Sequence, residues 1–194
     1  MDTLQKPTTD FQSFGKIARL SRPMVITEKI DGTNAQIYIT QDGEFLTGSR
    51  NRWITPYDDN YGFSKWAHEH KDDLMKLGPG RHFGEWWGNG IQRGYGISEK
   101  RFSLFNTSRW RMHGTEPSQK EEAPACCHIV PIIYSGEFST TPAEMAVNSL
   151  REIGSSAAPG FMKPEGIIIY HVAANMFFKK TIFKDEEPKS KYNC

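Results

Sequence analysis

Lys29 and Asp31 stand two residues apart in Met24-Val25-Ile26-Thr27-Glu28-Lys29-Ile30-Asp31-Gly32-Thr33-Asn34. An apolar run enters this stretch, a Gly-Thr-Asn corner turns the backbone, and alternating Ala35-Gln36-Ile37-Tyr38-Ile39 leaves it. Successive side chains of an extended segment take opposite faces, so Lys29 and Asp31 are predicted to share one face, with Glu28 and Ile30 on the other. A lysine in water is a poor nucleophile, since only about 0.04% of it is free amine at pH 7. A site that uses the amine must lower its pKa by desolvation or nearby positive charge. An exposed strand lysine beside a turn explains Lys-x-Asp-Gly equally well when it is taken alone, so the other polar positions have to decide.

Those positions recur along the chain. Thr47-Gly48-Ser49-Arg50 ends a strand and is predicted to deliver Arg50 beside the lysine strand. Arg81-His82-Phe83-Gly84-Glu85-Trp86-Trp87-Gly88 sets Glu85 among aromatics, and a buried carboxylate there needs a cation or hydrogen-bond donors. Either a ligand hydroxyl or an arginine of the same domain would serve. In Arg101-Phe102-Ser103-Leu104-Phe105-Asn106 the alternation separates Phe105 from Phe102 and Leu104, which suits a base-stacking platform or a second buried face. Glu165 opens the apolar strand Pro164–His171, and Lys179 and Lys180 lie on the next, Phe177–Phe183. Paired as a hairpin, these two strands would flank a phosphate with Glu165 and the lysines.

The elements that must hold these groups follow from pattern. Strands are predicted at 24–31, 35–40 and 45–50 as one meander, with an Asp42-Gly43 hairpin turn. Phe63, Trp66, Ala67, His70, Leu74 and Leu77 recur at helical spacing until Gly78-Pro79-Gly80. Gly88, Gly90, Gly94 and Gly96 form a loop without dinucleotide-binding spacing. Residues 112–125 read as a variable loop, and Cys126–Tyr134 as a strand flawed by Pro131. Thr141-Pro142-Ala143-Glu144 reads as the capped start of a helix that ends at Gly154.

Composition bounds what these groups can do. Twenty-four basic against 23 acidic residues leave no global field for a polyanion, so nucleic-acid contact needs a local patch. Arg109-Trp110-Arg111 is a weak signal of that kind. Three cysteines, two of them adjacent, supply neither a disulfide framework nor zinc spacing, and a reducing, cytoplasmic setting fits them. With no apolar run of membrane length and a polar first decade, a soluble protein without a membrane partner, not secreted by an N-terminal signal, is expected.

Taken in order, the motifs resemble those of the covalent lysine nucleotidyltransferases, the superfamily of polynucleotide ligases and mRNA capping enzymes. Lys29-Ile30-Asp31-Gly32 is similar to the nucleophile motif, Ser49-Arg50 to the arginine motif and Phe83-Gly84-Glu85 to the third. Phe102–Phe105 resembles the adenine-stacking segment, Glu165–Ile168 the metal-linked glutamate motif and Phe178–Thr181 the final lysine motif. Asn34 after the Lys-x-Asp-Gly corner is closest to phage-type RNA ligases. The resemblance implies an α+β nucleotidyltransferase (ATP-grasp-like ligase) domain of mainly antiparallel sheets with flanking helices and no OB-fold. One domain over 1–194 is expected, with its core at 24–187 and flexible tails at 1–10 and 188–194.

The resemblance further implies an ATP-dependent RNA ligase, monomeric, that joins 5′-phosphate and 3′-hydroxyl ends through lysyl-AMP on Lys29, with Mg²⁺ or Mn²⁺ near Glu165. In that reading Asp31 orients Lys29, and Lys179 and Lys180 meet phosphate. Arg50 and Glu85 fix the ribose, Phe105 stacks on adenine, Glu28 reaches the base edge and Asn34 orients phosphate. A DNA ligase, a capping-type guanylyltransferase or a catalytically weak nucleic-acid-binding relative are the alternatives. The last motif departs from the family's Lys-x-Lys, since Lys179 is followed by Lys180 and Thr181.

Overall fold

The computed structural model describes residues 9–116, 118–183 and 185. Most of the two expected tails therefore lies outside the described residues. In chain order the elements are β1 (Pro23–Lys29), β2 (Thr33–Ile39), β3 (Phe45–Ser49), β4 (Trp53–Ile54), α1 (Phe63–Glu69), α2 (Lys71–Leu74) and a 3₁₀ turn (Met75–Leu77). They continue as β5 (Gly80–Gly88), β6 (Lys100–Leu104), β7 (Trp110–Arg111), β8 (Glu121–Glu122), β9 (Cys127–Ile129), β10 (Ile132–Glu137), α3 (Thr140–Ile153), β11 (Gly166–His171) and β12 (Met176–Thr181).

Two larger sheets result, one of four strands in the order β10-β1-β11-β12 and one of six in the order β4-β3-β2-β5-β6-β9. All pairings within them are antiparallel except β6 with β9. This is the expected α+β architecture, and no sheet closes into a barrel among the described residues. The single meander predicted for residues 24–50 is corrected: β1 belongs to one sheet, β2 and β3 to the other. Residues 30–32 carry the chain across, with Ile30 buried at the junction beside Trp87, Tyr95 and Val130.

The strand predicted over 126–134 makes the second crossing. Pro131 cannot donate to a ladder, and it splits the run into β9, which pairs with β6, and β10, which pairs with β1. Its carbonyl accepts from the Glu28 amide at 3.0 Å. The two crossings therefore touch next to Lys29.

Each sheet is covered on one side. Ala35, Ile37, Trp86 and Phe102 pack with Phe63, Ala67, Leu74 and Leu77, while Met24, Ile26 and Ile167 pack on Ala143, Ala146, Val147 and Leu150 of α3. The helix predicted through Leu77 breaks at His70, whose φ of −108° leaves the helical region and whose ring stacks on Trp66 at 4.9 Å. The cap of α3 is Ser139, two residues before the expected Thr141, and it accepts from the Thr141 amide. Pro142 is tolerated in the first turn because amides there have no intrahelical partner. Part of the supposed variable loop is anchored too: β7 pairs with β8, and Arg109–Glu121 and Arg111–Glu122 ion pairs tie them together.

Candidate active site

Lys29 is the last residue of β1, where alternation matters most. Met24, Ile26 and Glu28 point to the α3 side and are buried, while Val25, Thr27 and Lys29 face the other way. Lys29 Nζ lies 2.7 Å from Glu165 Oε2, with side-chain exposures of 22% and 3%. Register explains the meeting, because Lys29 pairs with Gly166 and Glu165 directly precedes it. Gly166 in turn pairs with Thr181. A Cβ there would overlap the Lys180 carbonyl oxygen and lie 2.7 Å from Thr181 Cα, so only glycine fits between the lysine and β12.

The same ladder separates the two candidate lysines. Thr27, Ile168 and Lys179 are consecutive partners on the Lys29 face, whereas Glu28, Ile167 and Lys180 fall on the α3 face. Lys180 Nζ stands 4.0 Å from Asp185 Oδ2. The structure thus brings Lys179 to the lysine's side of the sheet and turns Lys180 away.

Across the junction, the six-stranded sheet presents Glu85. Its carboxylate accepts from the Gly32 amide at 3.0 Å and from Asn34 Nδ2 at 3.2 Å, Asn34 being its register partner. Gly32 is held tightly: a Cβ would overlap the Trp86 carbonyl oxygen and sit 2.7 Å from Trp87 Cβ. Desolvation pushes the Glu85 carboxyl up to about 7, against the opposing pull of Lys29 and the Gly32 amide. The folded protein therefore holds this proton where an unfolded chain, with its ordinary value of 4.5, has released it. Stability supplied by the neutral form is fully present below the unfolded value and is lost as pH rises through about 7. Glu85→Gln is expected to remove this loss. The wild-type minus variant difference in unfolding free energy should change by about 3 kcal/mol across that window in denaturant titrations, and a flat difference would contradict the burial argument.

The remaining sequence candidates divide. Asp31 was expected to share a face with Lys29, but β1 has already ended, and its Oδ2 accepts from Arg93 Nε at 2.8 Å. Arg93 Nη1 also donates to the Lys163 carbonyl at 3.0 Å. It therefore ties the Lys-x-Asp-Gly corner to the segment leading into Glu165. Glu28, expected at a base edge, is instead buried on the α3 side, accepting from Ser155 Oγ at 2.6 Å and from the amides of Ser156 and Ala157. Burial raises its pKa while those bonds pull it down. Arg50 follows β3 and is exposed, in the sheet opposite to the lysine strand rather than beside it. Phe105 is 40% exposed just past β6, opposite Phe83 at 51%.

Sequence reasoning missed Arg93 and Tyr95, both in the glycine-rich loop. The Tyr95 hydroxyl accepts from the Asp31 amide at 2.8 Å, and its ring meets Trp87 edge-on. Along β5 the inner face grades from Trp87 at 1% exposure through Glu85 at 8% to Phe83 at 51%. The junction is therefore a cleft, closed at Trp87 and open beyond Glu85. The Lys29 amine lies near enough to Glu85 to act on its carboxylate, and beyond Glu85 the same face carries two exposed aromatic rings.

Two mainly antiparallel sheets meeting at a Lys-x-Asp-Gly corner define a covalent nucleotidyltransferase-type fold. The RNA ligase family profile matches residues 22–184, and the chain belongs to the RNA ligase family. Its fold is similar to that of Naegleria gruberi RNA ligase. One variant of that protein, with ATP and Mn, aligns with a TM-score of 0.59 at 19% identity over 84% of this chain and 50% of that one. Another, with AMP and Mn, gives 0.57 at 18% identity over 84% and 50%. The form with PPi gives 0.56 at 18% over 83% and 50%. The chain spans about half the length of these solved relatives. No curated protein sequence matches it. No helix among the described residues is long and apolar enough to cross a membrane.

Proposed function

We propose that this chain is the nucleotidyltransferase unit of an ATP-dependent RNA ligase, a cytoplasmic monomer, and that Lys29 is its nucleophile. The observation that carries this is the Lys29 amine at the junction of the two sheets, 2.7 Å from buried Glu165 and near Glu85. In the first step the unprotonated Nζ attacks the α-phosphorus of ATP, forming a P–N bond as the bond to pyrophosphate breaks. A 5′-phosphate oxygen of the polynucleotide then attacks that phosphorus and releases the lysine. A 3′-hydroxyl finally attacks the 5′-phosphorus, joining the strands as AMP departs. Such transfers demand mostly alignment and charge neutralisation.

The side chains suit these tasks unequally. Phe105 offers a ring for adenine, with Phe83 beside it, and Glu85 and Arg50 are the candidates for the ribose. Asn34, held by Glu85, orients phosphate. Asp31 acts through the corner it shares with Arg93 and keeps Lys29 in place. The family's divalent ion, Mg²⁺ or Mn²⁺, fits Glu165 in one respect: it takes hard oxygen donors. No cluster of three or more His, Cys, Asp or Glu among the described residues forms a protein-only cage, and Mg²⁺ is ordinarily held by one or two carboxylates plus phosphates and waters. When bound, such an ion neutralises phosphate charge.

Lys179 and Lys180 give a local test. Lys179→Ala is expected to slow formation of the covalent nucleotide by about a hundredfold, consistent with losing a charged phosphate contact. Lys180→Ala should change it by less than about threefold, as for an exposed ion pair. Equal effects in a rapid-quench assay would contradict the assigned faces. The function as a whole is tested by offering 5′-phosphate/3′-hydroxyl ends as nicked RNA, nicked DNA and single strands, with ATP or GTP. Sealing of RNA with ATP is expected. Sealing confined to DNA, or transfer only from GTP, would replace this reading with one of its relatives.

A further inference from the structure

The open face of the six-stranded sheet bears a second aromatic group, away from Lys29. Register runs from Phe83 to Gln36, Gly48 and Trp53, about 14 Å across three strand spacings. On the next row Tyr38 pairs with Arg81. The rings of Tyr38 and Trp53 stack with centroids 6.2 Å apart. The Arg81 guanidinium lies 4.2 Å from the Tyr38 centroid and 5.3 Å from that of Trp53. It donates to Gln36 Oε1 at 3.1 Å and forms no ion pair with a carboxylate among the described residues. Trp53 is 47% exposed although it belongs to a strand.

An indole left half in water beside a guanidinium not neutralised by a carboxylate is what a single-stranded polynucleotide uses, because every base has a π-face and every linkage a negative charge. The chain's net charge of +1 supplies no general attraction, so a local cation is needed. The cluster also lies on the face that carries Phe83 and Glu85, continuous with the cleft mouth. An aliphatic protein partner would gain little from a guanidinium laid over the rings.

We propose that Tyr38, Trp53 and Arg81 form a stacking subsite for a single-stranded RNA end, outside the nucleotide cleft. The proposal rests on the ligase reading of that cleft. The strand would cross the sheet face with a base on Trp53 and a phosphate near Arg81, its terminus directed past Phe83.

The test uses the full chain and a fluorescein-labelled, 5′-phosphorylated single-stranded oligoribonucleotide, read by anisotropy. Trp53→Ala with Arg81→Gln is expected to weaken binding by about tenfold or more, while covalent labelling by α-labelled ATP changes less than about twofold. Trp53→Phe with Arg81→Lys should stay within about threefold of wild type. Arg81→Gln alone alters an exposed side chain, and it should lower the salt dependence of binding by about one ion. That variant keeps the test valid if the double variant melts early. Unchanged affinity and salt slope in Arg81→Gln, or a wild-type chain that does not bind the oligonucleotide, would overturn the subsite. Loss of RNA binding in a protein that never takes label from ATP would instead defeat the ligase reading and leave the subsite standing.

Discussion

Replacing Lys29 by alanine is expected to reduce covalent nucleotide attachment by at least about a thousandfold, while the melting temperature stays within a few degrees of wild type. The size follows from removing the only atom that forms the bond, which no neighbouring group replaces. Lys179 is two strands away on the same face, and Lys180 points to the α3 side. The small stability change follows from the 22% exposure of the lysine side chain at the strand end. Truncation opens that exposed strand end, so water can enter the vacated space and solvate the Glu165 carboxylate in place of the amine. Labelling at more than about a tenth of the wild-type rate would remove Lys29 from the chemistry.

Gly32→Ala is expected to damage both fold and site. The added methyl would overlap the Trp86 carbonyl and sit 2.7 Å from Trp87 Cβ and 3.0 Å from Glu85 Cγ. These atoms belong to β5, pinned between β2 and β6. Neither neighbour can yield without disturbing the Glu85 contact to the Gly32 amide. Overpacking against fixed backbone costs about 3 kcal/mol, or roughly 10 °C in melting for a chain of this size. Gly48→Ala is the control, since the three atoms nearest its methyl all belong to the movable side chain of Gln36. It should cost less than about 1 kcal/mol. Equal melting temperatures for wild type and Gly32→Ala would show that the corner is looser than its contacts imply.

The sequence disclosed the strands and most of their faces, because apolar alternation survives wherever one side of a strand is buried. The hairpin it offered as a possibility, between the strand after Glu165 and the strand bearing Lys179, is present in the fold, since a short turn leaves a hairpin as the simple connection. The sequence could not disclose that Ile30–Gly32 and Pro131 move the chain between sheets. A crossing looks like a turn or a flawed strand until its partners are known. Alternation also misled at Asp31, where the strand had stopped two residues earlier. Glu28 illustrates a related limit: its burial depends on one hydroxyl and two amides 127–129 positions away. Arg93 sits 62 positions from Asp31 in a loop chosen for its glycines, and only the folded loop brings the guanidinium back. The Lys179 and Lys180 faces were within reach of the sequence, had the hairpin register been counted from Gly166.

The most direct measurement is to incubate the chain with ATP and Mg²⁺, quench it in denaturant, digest it and locate the nucleotide by mass spectrometry. An AMP adduct on the peptide containing Lys29, labile to acid and stable to alkali as a phosphoamide is, is the predicted result. An adduct confined to Lys179, Lys180 or another residue, or no covalent adduct under conditions where ATP is bound, would contradict the account.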